Sequence, residues 1–222
     1  MGKALYSNFS AVQEYDWSIN WKNVVFSTLL VLVNFVYFSW ILKIFVKYFS
    51  GKNIPLATVY RIFAIAGLGK YIPGKIWALT GMVVLFQREG VDRADGIIAT
   101  ITYQYIYIAA GLMLTVCGGM VYFREWLTPL LLVIGIPIML LMIYPPILSS
   151  FMNFALRKFG INQECRRLKF RTGLYFMFLF LISWVVYGIA FYIFINGIIE
   201  LPLSSLFILM VIFACAYVIG FV

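Results

Sequence analysis

Residues 69–77 read Gly-Lys-Tyr-Ile-Pro-Gly-Lys-Ile-Trp and set two lysines, Lys70 and Lys75, around a Pro-Gly break. Apolar sequence flanks the string on both sides. A bilayer core penalises both charge and irregular backbone, so a chain that places both in an apolar stretch points to something polar that enters the membrane. The chemistry available is anion binding. Two ammonium groups could contact a phosphate, and N–H groups freed at Gly74, the expected start of a short helix, would add a second anion-binding element. Arg61 lies one short helix earlier, with Thr58 on the same face. Pro73 and Gly74 would shape the turn, while Tyr71 and Trp77 would anchor it at headgroup level. Two readings stay open: a functional anion site, and a basic loop at the membrane surface whose charges only set topology.

The surrounding composition leaves little room for a soluble domain. The 222 residues are 64% hydrophobic, 19% aromatic and only 11% charged, against about 25% charged for a soluble domain. The apolar runs are long and do not alternate, which predicts helices rather than barrel strands. The expected fold is all-α, a polytopic transmembrane helix bundle forming a single integral membrane domain over 1–222. Spans are predicted at about 24–46, 94–122, 128–148, 174–195 and 203–222. Residues 55–68 and 75–87 are apolar and helical but reach only about 20 Å each, short of the ~30 Å hydrocarbon core. They predict a broken helical hairpin over about 55–87, re-entrant or interfacial, with both ends on one side. A basic loop is predicted over 149–173.

The net charge of +9 follows the positive-inside rule and gives no reason to expect nucleic acid. Thirteen basic residues fall in the 47–93 and 149–173 regions, and three, Lys3, Lys22 and Arg124, on the other side. The basic side is therefore expected to be cytoplasmic, which puts residue 1 outside. Residues 1–23 are polar, have no apolar h-region and do not read as a signal peptide, and Val222 sits in apolar sequence. The chain is accordingly expected to be truncated at both ends.

Other polar residues carry less chemistry. Gln104, in a Tyr-rich stretch of the 94–122 span, should face a neighbouring helix or a cavity. Asn34 has the same two options. Gly111, Thr115 and Gly119, and likewise Ala216 and Gly220, have the spacing of close helix contacts. There is no histidine, and the carboxylates lie in polar ends and loops, so no enzyme activity is expected. The Asp92/Asp95 pair reads as a helix N-terminal cap. Cys117, Cys165 and Cys215 match no metal-ligand spacing. No disulfide, metal or other cofactor is expected.

The Lys-Tyr-Ile-Pro-Gly-Lys-x-Trp string at 70–77, the Tyr/Gln-rich span after it and Ala-Tyr-Val-Ile-Gly at 216–220 resemble the flippase-like family. It is also called the lysylphosphatidylglycerol synthase transmembrane-region family, and the resemblance runs from about residue 17 onward. It implies a multi-pass protein of the cytoplasmic (inner) membrane that binds or translocates anionic or lipid-linked molecules. It also implies a second Pro-Gly-Gly-rich segment just past residue 222. The aminoacyl-transferase activity of some members belongs to a separate soluble domain that nothing in this chain encodes. An alternative expectation is a non-transporting membrane subunit that works with a glycosyltransferase or another envelope-synthesis partner.

Overall fold

The computed structural model describes residues 19–71, 76–122, 137, 144–158, 160–161 and 168–221. The fold is an all-α bundle, with no strand among the described residues. Helix α1 spans Trp21–Ser50 and ends where Gly51 takes a left-handed φ of 72° and returns its N–H to the Lys47 carbonyl at 3.0 Å, a glycine stop that other residues would strain to make. The chain then forms α2, Leu56–Gly67, a 3₁₀ turn over Leu68–Tyr71, and α3, Ile76–Arg88. Helix α4 covers Arg93–Tyr122, α5 Pro145–Lys158, α6 Phe170–Asn196 and α7 Ser205–Phe221. Helices α1, α4 and α6 are long and apolar enough to cross a membrane, and the protein is a membrane protein. Helix α7 has 17 residues, about 25 Å at 1.5 Å per residue. Of the 128–148 span, residues 128–136 and 138–143 lie outside the described residues.

Helices α1 and α6 run antiparallel. At one end the Asn20 N–H donates to the Gly197 carbonyl at 2.8 Å, and at the other the rings of Phe45 and Phe176 stack with centroids 3.8 Å apart. Between them Asn34 is fully engaged across the helix pair. The Ser183 hydroxyl donates to Asn34 Oδ1 at 2.9 Å, and Asn34 Nδ2 donates to the Ser183 carbonyl at 3.2 Å. The Tyr37 hydroxyl adds a bond to the Leu179 carbonyl at 3.1 Å. Asn34 therefore belongs to packing: with no water in the hydrocarbon region, a buried amide needs such partners.

Helix α4 occupies the centre, touching α1, α3, α5, α6 and α7, and is the most buried of the three long helices. Its start is capped, since the Asp92 carboxylate accepts from the Ala94 N–H at 2.9 Å. The small residues on α4 let neighbours approach, though not all as the spacing predicts. Gly111 admits Trp184 and Gly118 admits Val211. The Thr115 hydroxyl bonds back to the Gly111 carbonyl. A Cβ on Gly220 would meet open space, so its glycine is not a packing notch.

The predicted basic loop begins as a helix. Leu148, Met152 and Leu156 recur every four residues and are buried, and α5 lays this stripe on α4, where Thr102 meets the Met152 sulfur at 3.3 Å and Tyr105 packs on Phe151. Prolines in the first turn suit a helix start. Arg157 and Lys158 fall in the last turn, where cations complement the helix dipole.

Helices α2 and α3 form the expected hairpin, with α2 along α1 and α3 along α4. Its open end is tied where Lys52 Nζ donates to the Gly90 carbonyl, so both ends lie with the C-terminus of α1 and the start of α4. The same end of the bundle carries Lys47, Arg88, Arg93, Lys169 and Arg171. The hairpin does not lie across this end. Phe63 of α2 packs on Phe35, 4.8 Å between centroids, and on Phe38 at 6.2 Å. These two residues sit at the middle of α1, which makes the hairpin re-entrant relative to the bundle.

Candidate functional site

The turn at the hairpin's closed end depends on a missing side chain. A Cβ on Gly69 would lie 2.8 Å from the Ala78 nitrogen and 2.9 Å from the Trp77 carbonyl carbon. Both are backbone atoms of the first turn of α3 and cannot rotate away. Gly67, two residues earlier, has nothing within 4 Å of such a Cβ. Gly69→Ala is expected to cost about 1–3 kcal/mol by overpacking and to displace the turn, whereas Gly67→Ala leaves stability unchanged or slightly raised. Thermal denaturation of the two variants in detergent checks this; equal melting temperatures would show that the turn tolerates a side chain.

Beside this turn a cavity of ≈ 630 Å³ opens between the hairpin and helices α1, α4, α6 and α7. The hairpin contributes Tyr71, Ala78 and Met82; α4 contributes Tyr103, Gln104 and Tyr107. Phe35 and Phe38 come from α1, Tyr187 from α6, and Tyr217 and Gly220 from α7. Aromatic edge-to-face contacts fix much of the wall: Tyr107 lies at 5.0 Å from Phe38 and at 5.2 Å from Tyr217, centroid to centroid. The volume matches a small-molecule or headgroup pocket. Among the described residues no lysine, arginine or carboxylate lines it. Its polar groups are tyrosine hydroxyls and one amide.

That amide is incompletely satisfied. Among the described residues Gln104 Nε2 is buried without a partner of full hydrogen-bonding geometry, although the Tyr217 hydroxyl lies close enough to interact with it as a weak acceptor. A buried donor left unmade costs about 1–3 kcal/mol, and most buried polar groups in native structures avoid that cost.

Of the residues singled out in the sequence, Tyr71 and Gln104 are brought together on this cavity. Arg61 is exposed on α2 and does not line the cavity; the buried face of α2 is Val59, Ile62 and Ala66. Trp77 is also exposed and off the cavity. The turn that carries Tyr71 borders the same cavity as Phe35 and Phe38 of α1. The backbone of Lys70 lies in the 3₁₀ turn. Pro73, Gly74 and Lys75 lie outside the described residues, as does Cys165. Sequence reasoning did not single out Tyr187 or Tyr217. Tyr187 is one of three tyrosines in α6 and Tyr217 the single one in α7, and only the packing of α6 and α7 against α4 brings these two to the cavity that Gln104 lines.

The described residues hold no cluster of acidic or thiol ligands suited to a metal, and none of their carboxylates lines the cavity. No family model, curated protein or solved structure matches the chain.

Proposed function

We propose that this protein is a flippase-like, non-enzymatic protein of the cytoplasmic membrane that binds and translocates an anionic lipid or lipid-linked precursor. The observation that carries the reading is the re-entrant hairpin. Its tip at 67–71, which contains Lys70 and is followed in sequence by Lys75, borders a headgroup-sized cavity at the middle of α1. Interrupted helices of this kind at mid-depth are the usual setting of transporter sites. Lys70 and Lys75 would take the phosphate, with Arg61 assisting from α2, and the acyl or prenyl chains would stay in the bilayer. The resemblance of the Lys-Tyr-Ile-Pro-Gly-Lys-x-Trp string to the flippase-like family supports the same reading.

The test is reconstitution into vesicles that carry fluorescent phosphatidylglycerol, with dithionite reporting label in the outer leaflet. Protein-containing vesicles are expected to lose the protected label fraction at a rate above that of protein-free vesicles. No movement, with lipid still bound, would overturn translocation and leave a lipid-binding subunit that acts with an envelope-synthesis partner.

A further inference from the structure

Two glycines border the cavity, Gly67 at the end of α2 and Gly220 near the end of α7. Glycine weakens a helix unless its backbone freedom or its missing side chain is used. Both uses are visible elsewhere in this chain. Gly51 and Gly90 take a positive φ, and Gly111, Gly118 and Gly188 leave room for Trp184, Val211 and Met210. Gly67 and Gly220 do neither. Their φ values are not positive, and α2 passes from Gly67 into the 3₁₀ turn with Leu68 still right-handed. Among the described residues a Cβ on either glycine would meet nothing within 4 Å. What the two share is the cavity, which they reach from opposite ends of the bundle. Helix α2 starts at the basic end. Helix α7 follows α6 after a short turn and runs antiparallel to it, with Phe213 against Phe191 and then Tyr217 against Trp184.

We propose that Gly67 and Gly220 are specificity-determining residues, whose missing side chains set the largest headgroup that the cavity admits. This role rests on the reading of the region as a lipid site and adds a selection on headgroup bulk. A phosphate alone is small against ≈ 630 Å³. The space that the glycines leave open serves what the phosphate carries, the polyol of the headgroup. A side chain at either position would narrow that space from its own side, so its effect grows with the size of the head. Loss of a lysine that contacts the phosphate acts differently, because it weakens every anionic lipid alike.

The test measures binding of three dioctanoyl lipids, phosphatidic acid, phosphatidylglycerol and phosphatidylinositol, to the full chain held in amphipol, read by the rise in melting temperature. The tails are identical and every head is anionic, so the ratio of variant to parent affinity for each lipid isolates the size of the head. Gly67→Leu and Gly220→Leu are each expected to bind phosphatidic acid within about twofold of the parent and phosphatidylinositol at least about tenfold more weakly, with phosphatidylglycerol between them. Lys70→Ala with Lys75→Ala should weaken all three by a similar factor. Without ligand, both leucine variants should melt no lower than the parent, because leucine favours a helix over glycine and has open space to enter.

Equal weakening of all three lipids by the leucine variants, or weakening of none, overturns the size limit. Failure of the parent to bind any of the three does the same. A marked fall in the melting temperature of a ligand-free leucine variant would show that the space beside that glycine is already filled, and would overturn its role. Vesicles that move labelled phosphatidylglycerol while the leucine variants ignore headgroup size would sink the role of the glycines and keep the function. Size-graded binding without movement of label would do the reverse.

Discussion

Replacing Lys70 and Lys75 together by alanine is expected to reduce lipid translocation to the protein-free background while the amount of protein in the membrane is unchanged. The expectation comes from where the hairpin goes. Helix α2 leaves the basic end of the bundle and brings its closed end to the cavity bordered by Phe35 and Phe38 of α1. A lysine in hydrocarbon costs about 2.5–3.5 kcal/mol on insertion scales. Two lysines that adjoin this turn in sequence would gain no stability at such a depth, so removing them is not expected to weaken the fold. Each charge-assisted hydrogen bond to a phosphate contributes about 1.5–3 kcal/mol, so loss of both should slow translocation at least a hundredfold. Arg61→Ala should have a smaller effect, because Arg61 is exposed on α2 and off the cavity. The rate of dithionite-accessible label in vesicles matched for protein content is the measurement. An unchanged rate in the double variant would remove the lysines from the site.

What was legible in the sequence follows from what a one-dimensional pattern can carry. Long, predominantly apolar stretches such as 24–46 announce a long helix. Two short apolar segments around Gly69 and Pro73 announce a hairpin, because neither is long enough to cross alone. Asp92 ahead of an apolar run announces a cap, and it makes one. The depth of the hairpin was not legible, since it depends on Phe63 finding Phe35 and Phe38 on another helix. The α5 helix was hidden by its charges. Arg157 and Lys158 drew attention from the Leu148, Met152, Leu156 stripe, which carries the helical period. The two options for Asn34 and Gln104 were also beyond the sequence. Both are amides in apolar helices, yet Asn34 finds Ser183 and Gln104 finds a cavity. The difference lies in which side chain of the facing helix happens to be opposite. Gly111 and Gly220 make the same point. Spacing shows that a glycine could admit a neighbour, but of these two only Gly111 has one at hand.

Trp184→Ala is expected to be the most destabilising single substitution in the bundle, at about 3–5 kcal/mol, the range for an emptied aromatic core position. Trp184 is fully buried on α6 and stacks on Tyr107 of α4, centroids 4.7 Å apart and planes 6° from parallel. Its indole N–H donates to the Tyr107 carbonyl at 3.1 Å. The ring fits against α4 because Gly111, one turn on, has no side chain: a Cβ there would lie 2.5 Å from Trp184 Cζ2. On its other side Trp184 meets Tyr217 of α7 at 5.4 Å, edge to face. One side chain thus joins α4, α6 and α7. Helix association in a membrane gains little from the hydrophobic effect and depends on packing and interhelical hydrogen bonds, so the void left by the indole has no compensation. Tyr107 and Tyr217 also line the cavity, and their loosening should weaken ligand binding in the same variant. Trp184→Phe separates the contributions, since it keeps an aromatic ring and loses the hydrogen bond, at about 1 kcal/mol for that bond. Gly111→Val should approach Trp184→Ala in severity from the opposite cause, a side chain forced into an occupied space. Thermal denaturation of the three variants in one detergent orders them. A melting temperature for Trp184→Ala equal to that of the parent would show that the three helices are held together elsewhere, and that the cavity wall does not depend on this junction.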